Sequence, residues 1–186
     1  MGSSRGNNPA YANAAEALGH AIAKHQLQLV YGGGSVGLMG ITADAVLESG
    51  GKVLGVITEK LKNMEVGHSG LTELAVVPGM HERKALMAKR ADAFVALPGG
   101  FGTLDEFFEI ITWAQLGIHD KPCGLLNIEG YFDPLLEFMA RSVAAEFVQG
   151  QYLDNLIIAT SAEDLLSRFA RHYENPPNHI DKWTDR

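Results

Sequence analysis

The chain has 186 residues, enough for one domain of ~100–200 residues with a full buried core. Fifteen Lys and Arg against 22 Asp and Glu give a net charge of −7, which argues against broad binding to the phosphate backbone of a nucleic acid. The lone cysteine, Cys123, excludes an internal disulfide and a Cys-rich zinc site and points to a reducing cytoplasm, and no run of ~18 apolar residues offers a membrane span.

Strands and helices alternate along the chain. Residues 9–24 are Ala-rich and predict a helix, with Pro9 suited to its first turn. Residues 27–31 (LQLVY) predict a strand that runs into glycines. A helix over 38–49 stops at Gly50-Gly51. A strand over 52–57, a loop over 58–70, a strand over 71–77 and a charged helix over 80–91 follow. Residues 93–97 (AFVAL) predict a buried strand, and Pro98-Gly99-Gly100-Phe101-Gly102-Thr103 opens a helix that runs to Leu116. Beyond it come a strand over 122–128, a helix over 132–147, a strand over 156–160 and a helix over 161–173. This order predicts an α/β fold: a Rossmann-like, doubly wound parallel sheet with helices on both faces. AFVAL and LIIAT are continuous apolar runs, as strands covered on both sides should be. One domain over residues 1–175 and an irregular tail over 176–186 are expected.

Glycine is over-represented. There are 21, where average usage near ~7% gives roughly 13. The excess matches two loops: Gly32, Gly33, Gly34, Gly37 and Gly40 after the first strand, and Gly99, Gly100 and Gly102 after AFVAL. In an open parallel sheet, ligands bind beyond the carboxyl ends of strands, and a glycine loop opening a helix suits an anion. Gly32, Gly34 and Gly37 fit G-x-G-x-x-G, but the acidic residue of a dinucleotide site belongs about 20 positions on, and Glu59 lies too far. Neither loop carries the Gly-Lys-Ser/Thr of a Walker A motif.

Thr103-Leu104-Asp105-Glu106 reads as a capping box with Thr103 at N-cap and Glu106 at N3. A carboxylate beside a bound phosphoester also suits chemistry, and the local pattern leaves both roles open. In the charged helix, His81-Glu82 is not a zinc motif, because Ala85 stands where the second His belongs. Arg83 has Leu86 and Met87 three and four positions on, which predicts a semi-buried guanidinium with an anionic partner. His68 reads as a surface residue.

PGGFGTLDE matches the P-G-G-x-G-T-x-x-E signature of the LOG ("Lonely Guy") proteins, and GSSRGNNPAY, VYGGGSVGLMG and MHERKALM agree in order and spacing. The chain therefore resembles that family, whose members are cytokinin riboside 5′-monophosphate phosphoribohydrolases often labelled lysine decarboxylases. The resemblance implies a Rossmann-like homodimer that cleaves the N-glycosidic bond of a nucleoside 5′-monophosphate, AMP included, without cofactor or metal. Its catalytic pair falls on Arg83 and Glu106. Its substrate-binding positions fall on Glu65, Lys84, Gly100, Phe101, Gly102, Thr103, Leu104, Asp105 and Thr112. The same loop type resembles that of molybdenum-cofactor carrier proteins, which need the loop but not the Arg–Glu pair. One departure stands out. The family has an apolar strand, central in the sheet, ahead of Gly2-Ser3-Ser4, and only Met1 stands there; an upstream start is the expectation.

Overall fold

The computed structural model describes residues 4–175. The expected tail over 176–186 lies outside the described residues.

The chain begins with helix α1 (Pro9–Lys24), whose N-cap Asn8 accepts a hydrogen bond from the Ala10 N–H at 2.9 Å. Asn8 satisfies an otherwise orphan donor, and Pro9 has no N–H to satisfy, so the boundary is set locally. Strand β1 (Gln28–Tyr31), helix α2 (Gly37–Glu48) and strand β2 (Lys52–Thr58) follow. The segment read as a loop instead contains a helical turn α3 (Glu59–Leu61) and a π-helical turn (Lys62–Val66). Then come β3 (Glu73–Val77), α4 (Met80–Arg90), β4 (Phe94–Ala96), α5 (Phe101–Gln115) and β5 (Cys123–Leu126). A 3-10 turn (Ile128–Gly130), α6 (Asp133–Ala144), α7 (Gly150–Asp154), β6 (Ile157–Ala159) and α8 (Ala162–Glu174) complete the chain. The helix expected over 132–147 is thus shorter, and α7 is an addition.

All strand pairs within the sheets are parallel, in the orders β1-β2-β3 and β4-β5-β6. One core joins Leu18 and Ile22 of α1, Val46 of α2 and Leu165 and Phe169 of α8 to Val53 and Leu126 of the strands. A second joins Phe107 of α5 and Phe132 to Ala96, Cys123 and Leu125. Helices therefore cover both faces, as the apolar strand runs predict.

Among the described residues no strand lies between β1 and β4. Both strands instead border one cavity of about 820 Å³, walled by Leu18, Ile22, Phe107 and Phe169 and reaching Gly32, Pro98 and Glu106.

Candidate active site

The carboxyl ends of β1, β2 and β4 converge on Arg83. This residue lies in the first turns of α4, and its guanidinium is 1% exposed. Nε donates to the Val56 carbonyl at 2.9 Å, and Nη1 donates to Glu106 Oε1 at 2.9 Å. Nη2 lies against Gly32: a Cβ there would sit 1.9 Å from it. Glycine at 32 is thus the opening through which a guanidinium enters the end of the sheet. The expectation of a semi-buried Arg83 is corrected to a fully buried one. Its apolar helix flank accounts for only part of the burial, because Gly32, in another loop, provides the space.

Glu106 keeps 22% of its side chain exposed and borders the cavity. The buried guanidinium meets its opposite charge in this carboxylate, and leaving either one unpaired in that setting would be costly. The pair also links α4, which packs on the first sheet, to α5, which packs on β4 of the second.

Helix α5 begins three residues earlier than the capping box implies. Its N-cap is Gly100, and the first intrahelical bond runs from the Leu104 N–H to the Gly100 carbonyl at 3.1 Å. Thr103 is therefore at N3, not N-cap, and Glu106 lies a full turn inside the helix. Capping no longer accounts for Glu106; Arg83 does. The Thr103 side chain instead lies over Gly99, where a Cβ would meet Thr103 Oγ1 at 2.2 Å. The backbone N–H groups of Phe101 and Gly102 lie in the first turn, where no intrahelical acceptor exists and the helix dipole favours an anion.

Lys84 lies between two carboxylates of α5. Its Nζ is 3.0 Å from Glu109 Oε2 and 3.3 Å from Asp105 Oδ2. Burial alone would lower its pKa, but hydrogen bonds and charge from Glu109 and Asp105 outweigh it and hold the pKa above the ordinary lysine value. Asp105, a carboxylate at the start of an anion-binding helix, thus shares the Lys84 cation with Glu109. Glu109 was missed from sequence, although it lies one helical turn from Asp105 and so shares its face.

The first glycine loop is braced by its own surroundings. The buried Tyr31 hydroxyl, its pKa raised by burial and by Asp44, donates to the Gly34 carbonyl at 3.1 Å. The His68 N–H donates to the Gly33 carbonyl at 2.9 Å, and the Leu38 N–H to the Ser4 carbonyl at 3.3 Å. His68 is not a plain surface residue. Its Nδ1 accepts from the Gly70 N–H at 3.0 Å, so Nε2 carries the proton it donates to Asp44 Oδ1 at 2.8 Å. It latches the 59–70 segment onto α2.

Arg83, Lys84, Gly100, Gly102, Thr103, Leu104, Asp105 and Glu106 thus come together where α4 meets the start of α5. Phe101 stands beside them, 94% exposed. Thr112 is not brought to this group: it is exposed, about 16 Å along α5 from the helix start at ~1.5 Å per residue. Glu65 falls in the π-helical turn, and its side chain lies outside the described residues.

A family model described as "Possible lysine decarboxylase" matches residues 39–169. A probable cytokinin riboside 5′-monophosphate phosphoribohydrolase of Oryza sativa subsp. japonica is 47% identical over 171 residues, which cover 92% of this chain and 77% of that protein. A cytokinin riboside 5′-monophosphate phosphoribohydrolase of Arabidopsis thaliana is 48% identical over 167 residues, covering 90% and 78%. The chain belongs to the LOG family. Among solved structures, the molybdenum cofactor binding protein of Rippkaea orientalis superposes with a TM-score of 0.69 at 22% identity, covering 91% of each chain. The molybdenum cofactor carrier protein of Chlamydomonas reinhardtii gives 0.68 at 20%, covering 94% of this chain and 93% of that one. At such identities the likeness is one of fold. Within that fold, this LOG chain places a buried arginine paired with a half-buried glutamate beside the glycine loop.

Proposed function

We propose that this protein hydrolyses the N-glycosidic bond of nucleoside 5′-monophosphates with an adenine-type base, cytokinin riboside 5′-monophosphates and AMP among them. The products are the free base and ribose 5-phosphate. The observation that carries this reading is the Arg83–Glu106 pair at 2.9 Å, with the guanidinium buried and the carboxylate open to the cavity beside the start of α5.

Cleavage passes through an oxocarbenium-like state with positive charge on the ribose. Glu106 faces that charge and accepts a proton from the attacking water. The water oxygen bonds to C1′, the C1′–N9 electron pair departs with the base, and a proton returns to the base. Arg83 holds the carboxylate in place through a charge-assisted hydrogen bond. The 5′-phosphate rests on the N–H groups of Gly100, Gly102 and Thr103 at the dipole-positive end of α5, so binding remote from the reacting bond positions C1′. Lys84 offsets one of the two negative charges of Asp105 and Glu109 and so reduces their repulsion of that phosphate. Phe101 offers an exposed ring to the ligand.

The protein acts as a homodimer in the cytoplasm. Supporting the dimer, α5, its following turn and α6 expose Leu116, Ile118 and Phe138 at 43%, 63% and 61%. Light scattering of the eluting protein at twice 20.1 kDa checks it. No described helix is long and apolar enough to cross a membrane. Incubation with AMP and with N6-isopentenyl-AMP, followed by chromatography for free base, tests the activity; no release from either overturns it.

A further inference from the structure

Tyr131 lies in none of the sequence motifs singled out above, yet its hydroxyl donates to the Gly99 carbonyl at 2.7 Å. A tyrosine that is 40% exposed could satisfy its hydroxyl with water. Here it reaches instead into the loop that opens α5.

The ring is held from several sides. Tyr11 of α1 packs edge-on against it, with centroids 5.5 Å apart, and Phe132 packs edge-on at 5.0 Å. The loop beneath is fixed by Asn127, whose Oδ1 accepts from the Phe132 N–H at 2.8 Å and whose Nδ2 donates to Asp133 Oδ1 at 2.7 Å. The Asn127 N–H in turn donates to the Ala159 carbonyl of β6 at 2.7 Å. Glu129 and Gly130 both take positive φ, which turns the chain so that Tyr131 faces the glycine loop. The tyrosine is therefore presented by a rigid element anchored in the second sheet.

A trans peptide is planar, with its C=O and N–H antiparallel. Fixing the Gly99 carbonyl therefore also fixes the direction of the Gly100 N–H. Gly99 and Gly100 have no side chains of their own to hold that plane, so the hydroxyl supplies the restraint.

We propose that Tyr131 is a positioning residue for the anion-binding loop: its hydrogen bond to the Gly99 carbonyl sets the Gly99–Gly100 peptide plane and keeps the Gly100 N–H aimed at the phosphate of the bound nucleotide. This rests on the glycosidase reading above. It makes Tyr131 specific for the phosphate-bearing part of the ligand.

The test is Tyr131→Phe, which keeps the ring and its packing and removes one oxygen. Steady-state cleavage of N6-isopentenyl-AMP is measured for the wild type and the variant, together with inhibition by ribose 5-phosphate and by the free base. The expected result is a five- to ten-fold rise in KM and in the inhibition constant of ribose 5-phosphate. kcat stays within about two-fold, inhibition by the free base is unchanged, and the melting temperature moves by less than about 3 °C. An unchanged KM overturns the proposal. So does an equal loss for both inhibitors, or a large fall in melting temperature without a change in KM, since each marks a merely structural tyrosine. Wild-type protein that releases no base overturns the glycosidase reading instead, and that outcome is read from the wild type alone.

Discussion

Replacing Glu106 in two ways separates its chemical role from its structural one. Glu106→Gln keeps an oxygen that can accept from Arg83 Nη1 at the present 2.9 Å and removes only the charge. Glu106→Ala removes both and leaves a guanidinium that is 1% exposed beside the Val56 carbonyl. Breaking a buried ion pair from one side costs about 3–5 kcal/mol. The Glu106 side chain is 22% exposed, so water can enter, and the lower end, about 3 kcal/mol, applies here. In a protein of this size that lowers the melting temperature by about 6–12 °C. The glutamine variant weakens one charge-assisted bond and loses about 1 kcal/mol, or about 2–4 °C. Both variants lose the carboxylate, so kcat falls by about 10³ in each, a typical contribution of a positioned base. Thermal melts and base-release assays on the three proteins decide the matter. A glutamine variant within ten-fold of wild-type activity refutes the chemical role. An alanine variant that melts with the wild type refutes the burial reasoning.

Gly32→Ala places a Cβ 1.9 Å from Arg83 Nη2, so the guanidinium must leave its seat; activity falls at least about 100-fold, by analogy with a lost transition-state donor, and a wild-type-like variant contradicts this. Lys84 has its pKa raised above 10.5, so its pairing stabilises the fold fully at neutral pH and fades as pH climbs through the raised value. Lys84→Met therefore melts lower than the wild type at neutral pH, and the gap narrows as pH rises beyond the ordinary lysine range; a gap that does not narrow there contradicts the pairing. Burial pushes the Cys123 thiol up to about 12, so a thiol reagent at pH 8 reacts only as the protein unfolds, and immediate reaction of native protein contradicts this.

Where a boundary is decided by neighbours in sequence, it was legible. Asn8 and Pro9 start α1 where expected, and Ser161 caps α8 through the Asp164 N–H. The doubly covered sheet followed from apolar strand runs. The start of α5 was misread because Thr-x-x-Glu is a local pattern, whereas the helix begins on the backbone at Gly100. The turns over 59–66 lack a long enough apolar period to announce themselves. Arg83 and Glu106 were legible as a pair through the family motif, but the depth of Arg83 was not. That depth depends on the missing side chain of Gly32, a contact between distant loops that leaves no local trace. Tyr131 escaped notice for the same reason, since its partner Gly99 is on another loop.

The most direct measurement is product analysis of N6-isopentenyl-AMP incubated with the wild-type protein at neutral pH. The account predicts free N6-isopentenyladenine and ribose 5-phosphate in equal amounts, with both absent from the Glu106→Gln reaction. Nucleotide that binds yet is recovered intact at high protein concentration would contradict it.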